Sequence, residues 1–342
     1  MPKPWHLLLI LLCLVSCAGK HTDGDSGMEY ARWFSLKGDT LAVISPYDGS
    51  VDTTVLHKCS SLVCMSSSHV GYLEVIGAGN LAAAVSGVSF LADSTVRSRA
   101  AEAGYDSAPD YETILSLRPD YVIMYAISSA PTQAMLKLRD LGIPILMLHE
   151  HLEPHPLGRA EYVKLFGVLA GCPEKADSIF NRVRDNYLAL AHGNDTADDS
   201  RVKVLLNIPY GDQWYIPGID NYLYRLISDA GGTVLGAAAG TRSSVISIEQ
   251  AYSLSREADV WLNPGWCSTK AELASVHPLF SSFPVLSKSV WNNTAKATPG
   301  GGNDFWESGP ARPDIILRDL CTIFDKDSSA VSSGTTYFRQ VK

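Results

Sequence analysis

The sequence predicts an α/β protein of two lobes, each built on a central parallel sheet and the two joined by one long α-helix. Three observations lead there. Short runs that are apolar at every position, such as Tyr121-Val122-Ile123-Met124 and Val260-Trp261-Leu262, suit parallel strands covered on both faces. Helical stretches such as Pro131 to Leu141 lie between these runs, and that alternation implies βα units. A long stretch of helical periodicity sits between the two halves of the chain. With 342 residues the chain also exceeds one comfortable hydrophobic core, so two bodies are expected on size alone.

Taken in order, the chain opens with a basic residue, Lys3, and an apolar run, Leu7 to Val15, too short to span a bilayer comfortably. That reads as a signal peptide over residues 1–16. It ends in Leu14-Val15-Ser16-Cys17, which resembles the bacterial lipoprotein box, so Cys17 is the expected lipidation site and new N-terminus. A plain signal peptide with a chance cysteine is the duller alternative. Each buried methylene adds roughly 0.8 kcal/mol of membrane affinity, so several acyl chains hold a water-soluble body at a bilayer. The expected location is therefore the periplasm, with the protein anchored to a membrane by lipid. Ala18 to Met28 is rich in Gly, Asp, Ser and Thr, and a flexible tether is expected over residues 17–39.

The first lobe is expected over residues 40–155. There Leu62 to Met65, Tyr121 to Met124 and Ile145 to Leu148 read as strands. A helical region follows over 156–195. Tyr162, Leu165, Phe166 and Leu169 share one face; Gly171-Cys172-Pro173 interrupts, and Pro173 suits the first position of a new helix. Ala176, Ile179, Phe180, Val183, Tyr187 and Leu190 continue the pattern, which predicts a bridging helix over 173–192, roughly 30 Å long. The second lobe is expected over 200–330, with strands at Val204 to Leu206, Val260 to Leu262 and Val285-Leu286.

Composition narrows the function. Hydrophobic residues make up 46% and charged residues 19%, an ordinary globular balance, and the net charge of -8 argues against a nucleic-acid partner. Of seven cysteines, Cys13 leaves with the signal and Cys17 takes lipid. The remaining five form no CxxC pair. Cys59 and Cys64 could bridge in an oxidising compartment, although simple burial is preferred.

In its motifs the chain resembles the solute-binding proteins with a helical backbone, the cobalamin-, haem- and ferric-siderophore-binding subunits of ABC importers. The residues that carry this are Ser116-Leu117-Arg118-Pro119-Asp120-Tyr121-Val122-Ile123, Leu141-Gly142-Ile143-Pro144-Ile145 and the long helix between lobes. Gly231-Gly232, Ser247-Ile248-Glu249 and Arg312-Pro313-Asp314-Ile315-Ile316-Leu317 extend it over about residues 40 to 325. The resemblance implies two Rossmann-like lobes of the class III periplasmic binding protein type. It also implies capture of a metal chelate, no cofactor and no catalysis, a monomer, and delivery to a permease and ATPase complex. In that family an acidic residue near the start of a helix in each lobe docks on the permease. Here Gly71 and Ser228 fall near those places, and Glu74 and Asp229 are the nearby carboxylates that could serve instead; solvated surface charge is the equal alternative.

Candidate ligand-binding residues follow from position. Trp214, Trp266 and Trp291 come after strand-like runs, and Trp306 lies in the same lobe. Ligands sit beyond the carboxyl ends of strands in open α/β sheets, and indoles offer flat faces to a macrocycle or aromatic chelate. Core packing is the competing explanation for each. Arg159 and Arg312 could clamp an anion bidentately, with a local ion pair as the alternative. His69 and Tyr125 are the first-lobe candidates at the rim. His149-Glu150-His151 with His155 is the only histidine cluster, and His149 and His151 could converge on a bare zinc or manganese ion. Finally, Gly77-Ala78-Gly79-Asn80-Leu81-Ala82 matches a dinucleotide fingerprint, which would suit a periplasmic oxidoreductase, but only if residues 71–76 form a strand. In the family reading residues 70–76 are a helix and the glycines stop it.

Overall fold

The computed structural model describes residues 27–191, 200–325 and 334–342. The signal peptide, Cys17 and the first part of the expected tether, residues 17–26, lie outside the described residues.

Two separate sheets form the lobes. The first runs in the order Ile145–Leu148, Tyr121–Tyr125, Leu62–Cys64, Ala82–Val85, Ala101–Glu102, all parallel. The second runs Gly232–Val234, Val202–Leu206, Val260–Leu262, Ser289–Asn292 in parallel, and Arg339–Gln340 closes its edge antiparallel. The all-apolar runs are explained by burial on both faces. On the first sheet Val63, Val122 and Met124 enter one core, whereas Leu62, Cys64 and Ile123 enter the other. That other core continues through the helix Val163–Ala170 and the bridging helix Pro173–Leu190 into the second lobe, at Leu226, Leu317 and Leu320. Cys59 and Cys64 are both free thiols and buried.

Gly171 sits in the left-handed region (φ +69) and stops the first of these two helices, and Pro173 starts the second. Its 18 residues span about 27 Å. Ala176, Ile179, Phe180, Val183 and Tyr187 are its buried stripe.

Two expectations change, and one alternative is removed. Val285-Leu286 is not a strand but part of a 3₁₀ turn, Pro284–Ser287, because proline leads into it; the strand is Ser289–Asn292. Residues 71–76 do not form the strand that the dinucleotide fingerprint needs; as the family resemblance implies, this stretch is helical. They belong to the helix Ser67–Val75, which Gly77 (φ +71) terminates by donating to the Glu74 carbonyl at 2.8 Å. The dinucleotide reading thereby loses the strand it requires. The folded body also begins before residue 40. Phe34–Lys37 pairs antiparallel with Thr40–Ile44, which pairs with Val51–Val55. Ahead of that hairpin, the Glu161 carboxylate accepts from the backbone N–H groups of Glu29, Tyr30 and Ala31, and Glu153 accepts from those of Arg32 and Trp33. A composition-based tether boundary could not register these two buried carboxylates.

The lobes also touch directly. A Cβ at Gly71 in the first lobe would lie 1.9 Å from the Glu307 carbonyl oxygen, and one at Gly302 in the second would lie 1.5 Å from the Phe90 carbonyl oxygen. The Glu307 carboxylate accepts from the backbone N–H groups of Ala92 and Asp93, at 2.6 and 2.9 Å. Gly71→Ala should therefore prise this contact apart and cost about 1–3 kcal/mol, as overpacking does. Urea unfolding measures it, and an unchanged midpoint would contradict a close-packed junction.

Candidate functional site

Residues of both lobes line a cleft of about 670 Å³, within the range of small-molecule sites. On the first-lobe side its walls are Arg32, Trp33, Tyr47, His151 and Glu153; on the second, Asp220, Tyr222 and Arg242. The aromatic rim is held in place. Trp33 Nε1 donates to the Leu152 carbonyl at 3.0 Å, and the Tyr47 hydroxyl donates to the Ala126 carbonyl at 2.9 Å. Among the described residues no carboxylate forms an ion pair with Arg32 or Arg242, and both are exposed. A small slot joins Arg159, Tyr222 and Trp306, and Trp306 also borders a recess with Trp266.

The sequence-derived candidates separate into those at the cleft, slot or recess and those elsewhere. Trp266 and Trp306 are 57% and 45% exposed and border the separate second-lobe recess rather than the cleft itself. Arg159 is buried in the slot, with its guanidinium 4.2 Å from the centre of the Tyr222 ring, a cation–π contact across the lobes. The local ion pair offered as its alternative does not form, because Glu161 holds the N-terminal backbone and Lys164. Tyr125 ends its strand half-buried, edge-on to His151.

The others are corrected. Trp214 is fully buried, stacks with Trp261 and Phe283, and donates from Nε1 to the Leu206 carbonyl. Trp291 lies within the strand Ser289–Asn292 and is buried, because the strand starts later than its apolar neighbours suggested. Arg312 makes a fork to Asp314 at 2.9 and 3.0 Å, a local pair at the start of the helix Pro313–Phe324. His69 is not at the rim. It is wholly buried 3.4 Å from Glu150, near Phe166. Burial would raise the Glu150 carboxyl, but His69, His151 and Arg159 around it hold it low, at about 2. His149 and His151 do not converge: His151 faces the cleft, whereas His149 faces a second space beside Ser128 and Met135. A 3₁₀ turn, Glu150–Leu152, begins between them and breaks the alternation that an extended chain would have. No group of three or more His, Cys, Asp or Glu among the described residues is arranged to hold a metal ion.

The two docking carboxylates are also engaged. Asp229 is buried, accepts from Arg225 at 2.8 and 2.9 Å, and accepts from the Tyr187 hydroxyl at 2.7 Å. Glu74 is half-buried over Gly79, and burial and the neighbouring Asp93 raise its pKa. Neither is a free surface charge.

Sequence reasoning missed Arg32, Trp33, Tyr47, Tyr222 and Arg242. The first two lay within the expected tether, and Tyr47 and Arg242 lie on turns where periodicity is silent.

With this geometry in place, comparison with known proteins settles the class. The periplasmic binding protein family matches residues 62–285, more than half of the chain, and the protein belongs to that family. Two lipoproteins of Methanocaldococcus jannaschii, both described as uncharacterized, are each 26% identical, over 285 and 186 residues. The matches take in 78% and 52% of this chain but only 65% and 46% of those relatives' own lengths. A periplasmic haem-binding protein from Pseudomonas aeruginosa is similar in fold, with a TM-score of 0.59 at 19% identity, over 83% of this chain and 98% of its own. The periplasmic vitamin B12 binding protein of Vibrio cholerae gives 0.56 at 16%, over 80% and 98%. The siderophore binding protein of Vibrio cholerae, solved with Fe3+-Desferal, gives 0.54 at 13%, over 78% and 99%. The two-lobed class III periplasmic binding fold is thereby shown.

Glu153 gives the cleft a pH signature. Burial pushes its carboxyl up to about 7 from 4.5, despite the backbone donors of Trp33 and Arg32. The folded protein then keeps a proton that the unfolded chain releases. The resulting stabilisation is complete below about pH 4.5 and is lost as pH rises through about 7, on the order of 3 kcal/mol. Glu153→Gln should remove that loss, so the stability difference between variant and parent should widen over this window in urea titrations. Parallel pH profiles would contradict the assignment.

Proposed function

We propose that this chain captures an iron chelate, either a ferric siderophore or haem, or else cobalamin, and hands it unchanged to an ABC importer. The observation that supports the reading is the cleft itself. Residues of both lobes line it, and aromatic residues and unpaired arginines from both lobes border it. A planar or macrocyclic chelate with anionic substituents fits such walls, since guanidinium pairs with carboxylates and rings stack on Trp33, Tyr47 and Tyr222. The fold neighbours bind haem, vitamin B12 and Fe3+-Desferal, which supports the same range of cargo. The lipoprotein relatives and the box at Cys17 support a lipid anchor outside the cytoplasm, and no described helix is long and apolar enough to cross a membrane.

The partner would be a permease and ATPase complex, met by a surface other than Glu74 and Asp229. A free zinc or manganese receptor gains no support from the diverging His149 and His151, nor an oxidoreductase from the helix stop at Gly77.

Haemin, cyanocobalamin and ferric desferrioxamine, offered separately to the purified protein, test the proposal by gel filtration and thermal shift. One of them should co-elute, and at 100 times its dissociation constant should add about 2.7 kcal/mol of stability. Tyr47→Ala should weaken that chelate by about tenfold, or ~1.4 kcal/mol. Failure of all three to bind would contradict chelate capture.

A further inference from the structure

The second lobe contains a recess, separate from the cleft, with a different chemistry. Asn207 follows the strand Val202–Leu206, and Asn263 follows the adjacent strand Val260–Leu262. Both take left-handed backbone conformations, with φ of +66 and +56, where side chains are uncommon. The same irregularity at the same place on neighbouring strands turns both amides toward one space. Asn293, just past the next strand Ser289–Asn292, and Asn303 line that space too, and Trp266 and Trp306 border it. It encloses about 180 Å³, and every side chain around it is uncharged.

The hydrogen-bond accounting leaves a gap here. Asn303 is satisfied: its Oδ1 accepts from the Phe305 N–H, and its amide donates to the Asn293 carbonyl. The Asn207 amide donates to the Tyr215 carbonyl. The Asn263 Oδ1 is buried and accepts from no protein group. A buried amide oxygen without a donor is costly to keep, so a turn of the Asn263 amide into the recess, where a ligand donor can meet it, is favoured. Two half-exposed indoles beside it supply ring faces, and the absence of charge disfavours an ion, which would shed its hydration for no counter-charge.

We infer that this recess is a subsite for an uncharged ring carrying both hydrogen-bond donors and acceptors, seated against Trp266 and Trp306 and donating to Asn263. The inference rests on reading the cleft as the capture site, and adds that one part of the cargo is neutral and ring-shaped, apart from any anionic part near Arg32 and Arg242. A heterocyclic base and a sugar ring share this chemistry.

Uracil and glucose, as metal-free probes, are titrated separately into the full chain while indole fluorescence and heat are followed. A saturable response is expected from at least one, with a dissociation constant on the order of 1 mM, as suits a single ring in an open recess. Perturbed ultraviolet absorbance of the probe marks the base arm; the sugar arm gives heat without it. Asn263→Asp, which puts a charge in the recess at nearly equal volume, should weaken binding at least tenfold. Should that variant melt early, Trp306→Leu serves in its place and should do the same. The inference is overturned if neither probe binds at concentrations on the order of 10 mM, or if binding is indifferent to both substitutions. Chelate binding without ring binding would overturn the subsite alone; ring binding without any chelate would overturn the chelate reading alone.

Discussion

The lobes are held to one another by backbone touching backbone. Gly71 and Gly302 have no side chain because the Glu307 and Phe90 carbonyls occupy the space that one would need. Glu307 then fastens the contact by accepting from two consecutive N–H groups at the start of the helix Ser94–Arg99. With the bridging helix and a core that runs unbroken between the sheets, this leaves little freedom to swing. The cleft is a gap of set width, and a ligand meets walls that are already in place. A rigid site loses little ordering entropy when a ligand binds.

The same physical device recurs through the molecule. A carboxylate takes neighbouring backbone N–H groups from a remote segment: Glu161 and Glu153 hold residues 29–33, Asp319 holds Thr336 and Tyr337, and Asp120 holds Ser60 and Ser61. Each replaces water for two or three donors at once, so a segment with no regular partner can be buried. Two of these clasps serve the cleft. Glu153 and Glu161 bring Arg32 and Trp33 to its rim. Asp319 seats Tyr337, which packs on Phe305 and bonds Ser308, on either side of Trp306. Burial raises the Glu153 and Glu307 carboxyls, to about 7 and about 6, so these clasps carry a proton linkage near neutral pH.

The sequence made the architecture readable wherever burial is two-sided. Tyr121 to Met124, Ile145 to Leu148 and Val260 to Leu262 are strands as expected, because a strand covered on both faces has no polar alternation to obscure it. The bridging helix was visible for the opposite reason, a single apolar stripe behind a proline start. The site was less readable. Trp266 and Trp306 reach the surface recess of the second lobe, yet Trp214 and Trp291, alike in composition and context, are core. The difference lies in a turn of backbone: Trp266 comes after the loop that Asn263 and Gly265 open, whereas Trp291 is within its strand. Side-chain periodicity cannot report where a parallel strand ends by a residue or two. Nor could composition show that residues 29–33 belong to the folded body, since their partners lie more than a hundred residues away.

The fixed gap between lobes is open to direct measurement. Spin labels at exposed Asn80 in the first lobe and Glu249 in the second, after replacement of the free cysteines, report the interlobe distance by electron–electron double resonance. A single narrow distance distribution in the unliganded protein, little altered on addition of a bound chelate, is the predicted result. A broad distribution, or two separated populations, would contradict a cleft whose width is set by the Gly71–Glu307 junction.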